Sequence, residues 1–206
     1  MSIKIRKATE SDSPFLAQMM LQSSRAGKKV GMFDLIFDTT DDAKILNSLE
    51  ALSKTTVKNH CHYSNFLIAQ LDAQSVGTLC SYEPRIATKQ SFIDALKEVE
   101  CEHAEDSLEF LYCCDFKLNN RTLMFDFMEE LEGFIDVGVL RELMRKSLLT
   151  ARLKGYRIAQ SLVEIGSLES LLFYKKLGFK QVAEQECELY KEKFGRAGLV
   201  LLAIEF

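Results

Sequence analysis

The chain has 206 residues, 47% of them hydrophobic and 27% charged, with a formal net charge of −4. That length suits one domain spanning 1–206, with or without an insertion, and the apolar share is enough for a sizeable core. The acidic balance argues against general nucleic-acid or membrane-surface binding, and no run approaches the ~20 apolar residues that span a bilayer.

The start, Met1-Ser2-Ile3-Lys4-Ile5-Arg6-Lys7, alternates instead of presenting a signal-peptide core, so a cytoplasmic location is expected. Residues 3–8 predict a first strand. Ser13-Pro14 predicts a helix start, with serine as N-cap and proline at the first helical position, where its missing N–H costs nothing. Phe15, Leu16, Met19 and Met20 follow at helical spacing, and Gly27 is a stop. A second helix is predicted from Asp41-Asp42, carrying Ile45, Leu46, Leu49 and Leu52. The apolar segment 30–38 between them has no clear period.

Strands are predicted at Phe66–Leu71 and Val76–Tyr82, joined by the short turn Asp72-Ala73-Gln74-Ser75. Residues 88–116 read as helical, with Phe92, Ile93, Leu96 and Val99 on one stripe and Leu108, Leu111 and Tyr112 after them. Asn119-Asn120 marks a turn, and Leu123–Met128 a strand. Gly138–Lys154 is a long amphipathic helix closed by Gly155. Ile158–Ile165 is a nearly continuous apolar strand, as a covered central position requires. A helix after Ser167 and strands around Lys180–Tyr190 and Gly198–Phe206 complete the chain.

The six cysteines contain no CxxC pair, and buried, reduced thiols are the expected state. His60-Cys61-His62 is the metal-like cluster; on a strand, both histidines would share one face. No second ligand group accompanies it at metal spacing, so no metal is expected.

The segment Phe173-Tyr174-Lys175-Lys176-Leu177-Gly178-Phe179, following strand, tight turn and short helix, resembles the signature of the GNAT family of acetyl-CoA-dependent N-acyltransferases. The element order agrees with that resemblance, with a helical insertion at about 88–116 between the third and fourth strands. The implied fold is α/β (α+β): a central mixed, mostly antiparallel twisted sheet of about seven strands flanked by helices. The match is specific over 123–182 and rests on element order alone over 1–85.

The resemblance implies acetyl-CoA (coenzyme A) as co-substrate, held where the fourth and fifth strands splay apart. Counting back without a gap from the signature, Gly138 falls on the central glycine of the family's pyrophosphate turn. The cofactor-binding positions are then Ile135, Asp136, Val137, Gly138, Val139 and Leu140, with Met128 and Glu130 lending strand backbone to pantetheine and Ser167 near the cofactor. Ile135 replaces the usual basic residue, Leu140 the usual small one, and Asp136 adds negative charge that Arg141 and Arg145 can offset. Backbone N–H groups at a helix start attract phosphate whatever the side chains. Ser167 also suits a helix N-cap.

By the same resemblance Tyr174 is the donor that protonates the departing thiolate, a transfer between groups of similar basicity. Asp126 or Glu130 is the base that takes a proton from the acceptor amine; the two share a side if the strand is regular, and a bulge would alter that. Asp126, Glu129, Glu130 and Glu132 together suggest a cationic acceptor: a polyamine, an aminoglycoside, an amino acid, or a peptide amine. Two further readings stay open. One is a catalytically degenerate binding or regulatory module on the same fold. The other is an interaction protein working through the insertion, whose rim suits a partner including a second copy of the chain.

Overall fold

The computed structural model describes residues 2–101, 105, 109, 112–116, 118, 122–135 and 137–205. In chain order these form β1 (Lys4–Lys7), α1 (Ser13–Arg25), α2 (Met32–Ile36), α3 (Asp42–Leu52), β2 (Phe66–Leu71), β3 (Gln74–Tyr82) and α4 (Lys89–Glu98). Then come β4 (Thr122–Glu130), α5 (Val139–Leu153), β5 (Ile158–Glu164), α6 (Leu168–Lys176), β6 (Lys180–Glu186), α7 (Glu188–Phe194) and β7 (Gly198–Glu205). The strands make one seven-stranded sheet in the order β1-β2-β3-β4-β5-β7-β6. Every described pairing is antiparallel except β4 with β5.

The two faces of the sheet are covered separately. Leu16, Met20, Phe33, Leu49 and Phe92 from α1–α4 pack with Phe66, Ile68 and Phe127 on one side. Val139, Leu143 and Met144 of α5 and Tyr174 of α6 pack with Leu79, Phe125, Ala159 and Leu202 on the other. Burial of these side chains at about 1.5–3 kcal/mol each is the main favourable term. α5 presses on β3 at Gly77, where a Cβ would lie 2.7 Å from Val139 Cγ1 and 2.9 Å from the Glu129 carbonyl. No side chain fits there without moving backbone.

Several boundaries differ from the sequence reading, each for a local reason. Asp12, not Ser13, is the N-cap residue of α1; it accepts from the Thr9 N–H at 2.7 Å and pairs with Arg6 at 2.7 Å. The hairpin turn is only Asp72-Ala73, both at positive φ (48° and 70°), so β3 starts at Gln74. The last strand pair is interrupted by α7, whose Tyr190 and Phe194 are buried, so β6 ends at Glu186 and not near Tyr190. Of the helical reading of 88–116, α4 accounts for Lys89–Glu98, capped by Thr88; Leu108, Leu111 and the turn Asn119-Asn120 lie outside the described residues.

The unassigned apolar segment 30–38 contains α2, anchored by a buried carboxylate. Asp34 is 3% exposed, pairs with Arg25 at 2.7 Å and accepts from the Gly31 N–H at 2.8 Å. Arg25 also reaches Asp42 at 2.7 Å, tying α1, α2 and α3 together. Asp34→Ala leaves Arg25 half-compensated and the Gly31 N–H without its acceptor. The expected cost is about 3 kcal/mol, read as a lower urea midpoint at unchanged slope.

Candidate active site

β4 and β5 pair only from Thr122↔Ile158 to Phe125↔Ser161. Beyond that point both strands continue, β4 to Glu130 and β5 to Glu164, without pairing to each other. The β5-facing edge of β4 is therefore open from Asp126 onward. A parallel pair that parts in this way leaves a wedge with unpaired strand edges, the polar groups an extended amide-bearing ligand can use.

Tyr174 stands at the vertex. α6 carries it inward, where it is 5% exposed and edge-on to Phe179 at 5.1 Å. Its hydroxyl lies 2.8 Å from Ser161 Oγ, which is also 3.2 Å from the Phe125 carbonyl. Ser161 has one proton. Ser161 donates to the Tyr174 hydroxyl, so the phenol keeps its own proton for another acceptor. Burial pushes the Tyr174 pKa up, and the Ser161 hydrogen bond opposes it. The phenol stays protonated at neutral pH.

β4 carries a bulge. Phe127 has φ of 43°, and the register jumps so that Thr78 faces Glu129 while Cys80 faces Asp126. The Asp126 carboxylate accepts from the Phe127 N–H at 2.8 Å, and Thr78 Oγ1 donates to the Phe127 carbonyl at 3.1 Å. These two bonds satisfy the backbone the bulge would strand. The extra residue resets the alternation. Regular alternation would put Asp126 and Glu130 on one side; the bulge instead brings Asp126 and Glu129 into the wedge and turns Glu130 to the α5 face, its Cβ beside Gly77. Gln22 of α1 donates to Glu129 at 2.9 Å and to the Glu130 carbonyl at 3.0 Å.

Two cavities meet at Asp126. One of about 260 Å³ lies between the strands and is lined by Asp126, Met128, Glu129, Ser161, Ser167 and Tyr174. The other, about 400 Å³, opens on the far side of Asp126 and is walled by rings: His60, Tyr82, Phe92, Tyr112 and Phe116. Burial lowers the His60 pKa to about 4, so that ring is neutral. Burial raises Asp126 to about 6 against the Phe127 hydrogen bond, and raises Glu129 as well. Glu164, shared by both cavities, is neutralised by Lys28 at 2.6 Å and Arg196 at 3.6 Å and accepts from the Tyr190 hydroxyl at 3.1 Å. Asp126 has no ion pair among the described residues. A further cavity of about 240 Å³, with Ser147 and Tyr156, lies beside the other end of the β4–β5 pair, away from Tyr174.

The turn after β4 is a 3₁₀ turn, Glu132–Phe134, then Ile135, Val137 and Gly138. Gly138 has φ of 91° and ψ of 19°, a left-handed conformation that favours glycine, and among the described residues no side chain caps the first turn of α5. The first N–H groups of an α-helix have no partner within the helix. Ile135 and Val137 are exposed (57% and 46%), whereas Val139 is fully buried and Leu140 partly so. Asp136 lies outside the described residues. Arg145 is bound to Glu142 at 2.9 Å, and Arg141 is exposed. Ser167 takes the N-cap position of α6, but its hydroxyl reaches Ser170 at 3.1 Å and no backbone N–H. Lys175 and Lys176 are exposed.

The histidine cluster does not form. Residues 60–62 lie in turns. The His60 ring packs at a tilt against Phe92 at 4.3 Å, while His62 Nδ1 accepts from the Ser64 N–H at 3.2 Å.

The sequence reading missed Ser161 and the aromatic chamber, and named Glu129 only as part of an acidic patch. Ser161 had a visible signal, a small polar residue inside an apolar strand. Placing Glu129 in the wedge required knowledge of the bulge, and the chamber is assembled from widely separated segments.

No family model and no curated protein matches the sequence. Solved structures match its fold along nearly the whole chain. A solved acetyltransferase superposes with a TM-score of 0.68 at 16% identity over 98% of each chain. An N-acetyltransferase from Staphylococcus aureus Mu50 gives 0.67 at 16% identity, over 98% of this chain and 100% of its own. The PaiA N-acetyltransferase from Thermoplasma acidophilum, solved in complex with coenzyme A, gives 0.57 at 15% identity over the whole of both chains. The fold is that of the GNAT acetyltransferases. No helix among the described residues is long and apolar enough to cross a membrane.

Proposed function

We propose that the chain is a divergent GNAT member that transfers an acetyl or other short acyl group from acyl-CoA to an amine. The observation that carries this reading is the wedge itself: β4 and β5 part after Phe125 and Ser161, with the Tyr174 hydroxyl 2.8 Å from Ser161 at the vertex.

The residues suit the co-substrate. The open edge of β4 around Met128 offers backbone groups to the pantetheine amides, and the Gly138–Leu140 turn offers N–H groups and the positive end of α5 to a pyrophosphate. Bound acyl-CoA supplies the activated acyl group as a thioester. Tyr174 Oη holds a proton for the departing thiolate. Asp126, between the wedge and the aromatic chamber, takes a proton from an ammonium arriving from the chamber side, and Glu129 adds negative charge there. The amine reacts directly with the thioester, so no cysteine nucleophile is involved. Flat rings and a carboxylate favour an acceptor with both apolar surface and a positive charge.

The test is thiol release from acetyl-CoA against a panel of polyamines, aminoglycosides, amino acids and peptides. Amine-dependent release that requires the protein is expected. Absence of release with every amine, despite saturating binding, would instead favour the second reading, a CoA-binding module. The observation behind that reading is Ile135, exposed at 57% where relatives carry a basic side chain.

Gly138→Ala probes the cradle separately. At φ of 91° an alanine costs about 1 kcal/mol and tilts the first N–H groups of α5. Acetyl-CoA affinity is expected to fall about tenfold by calorimetry, with transfer at saturation little changed.

A further inference from the structure

The fold assembles a cluster that the spacing of the cysteines conceals. The thiol sulfurs of Cys113, Cys114 and Cys187 all lie within 4.8 Å of one another. Two come from the insertion and the third from the junction of β6 and α7, more than seventy residues later in the chain. We propose that these three thiols bind one thiophilic d¹⁰ cation of the zinc class, with water as fourth ligand, pinning the insertion to the end of the sheet.

The geometry fits such an ion. Zinc–sulfur bonds of about 2.3 Å at tetrahedral angles place sulfurs roughly 3.8 Å apart, so the three thiols need to close by about 1 Å or less, within side-chain rotation. The backbone is already held in position. Gln185 Nε2 donates to the Cys113 carbonyl at 3.2 Å, and Cys114 Sγ donates to the Gln185 carbonyl at 3.5 Å. Cys114 is buried while Cys113 and Cys187 are half-buried, which gives an ion a path in and leaves one side for water. The donor set is all sulfur, the preference of a soft cation.

The thiols lose their protons as metal–sulfur bonds form. Three S–H bonds are exchanged for three metal–sulfur bonds, with the protons passing to solvent. Cys114 also lines the aromatic chamber, so the ion would brace a wall of the acceptor side.

The experiment uses the full chain, purified with reductant and chelator, and titrates it with Cd²⁺ while following the sulfur-to-cadmium charge-transfer band. Saturation at one equivalent, with three-thiolate intensity, is expected. Cys187→Ser and Cys113→Ser should each weaken binding by at least tenfold, while Cys101→Ser, outside the cluster, should match the wild type. Unchanged Cd²⁺ affinity in Cys187→Ser would overturn the site. X-ray absorption of the zinc-loaded wild type serves as a check that no variant's folding can confuse. Three sulfur neighbours at about 2.3 Å are expected, and one or none would overturn the proposal.

Discussion

Tyr174→Phe is expected to lower the rate of acyl transfer at saturation by roughly 10²-fold or more, with little change in acetyl-CoA affinity. A positioned general acid typically contributes 10²–10⁴-fold, and the phenol is the buried donor at the vertex of the wedge. The substitution removes one hydroxyl and keeps the ring that packs on Phe179 at 5.1 Å. Ser161 retains the Phe125 carbonyl as an acceptor, so the loss of stability should be about 1 kcal/mol. The pairing of a large rate loss with a small stability loss separates a chemical role from a packing role. Rapid mixing under single-turnover conditions measures it, and turnover within twofold of wild type would remove Tyr174 as proton donor.

Asp126→Asn carries the second large effect, and it has two signs. Activity should fall by about 10²-fold, because the acceptor amine loses its base. In the wild type, the acid limb of kcat/KM should have an apparent pKa near 6, the raised value of Asp126, with activity lost as pH falls and the carboxylate protonates. The limb should vanish in the variant. Stability should move the other way. The folded carboxyl holds its proton up to about pH 6, while the unfolded one releases it near 3.8. Between these values the folded state binds more protons, so the contribution of Asp126 to stability declines as pH rises through that window and stays low above it. Removing the charge should therefore stabilise the protein at pH 7 to 8. Two units correspond to about 3 kcal/mol in full; a carboxylate half-open to a cavity should give roughly 1–2 kcal/mol, or a few degrees in Tm. A variant both slower and more thermostable is the signature of charge buried for function. A less stable Asp126→Asn at pH 8 would contradict it.

The sequence carried the fold because the fold is written in period and punctuation. The apolar run of β5, the helical stripe before Gly155 and the Tyr-Lys-Lys-Leu-Gly-Phe signature each reflect a backbone requirement that few residues satisfy. The site was legible where one side chain answers to one local element, as with Tyr174 on α6 or Gly138 at a positive φ. It was illegible where alternation fails. A single extra residue at Phe127 exchanges Glu130 for Glu129 in the wedge, and nothing in Asp126-Phe127-Met128-Glu129-Glu130 marks which residue is the bulge. That choice belongs to Thr78, which donates to the Phe127 carbonyl from the neighbouring strand. Likewise α7 reads as strand locally, and only the burial of Tyr190 and Phe194 against the sheet decides otherwise. The chamber and the cysteine cluster are long-range products, joining 60, 82, 92 and 112 in one case and 113, 114 and 187 in the other.

Calorimetry of the purified protein with acetyl-CoA tests the central claim most directly. The open edge of β4 and the helix start at Gly138 lead us to expect saturable one-to-one binding with a Kd on the order of micromolar, weakened about tenfold in Gly138→Ala. No heat of binding at millimolar acetyl-CoA would contradict the account, leaving a wedge shaped for a co-substrate that it does not hold.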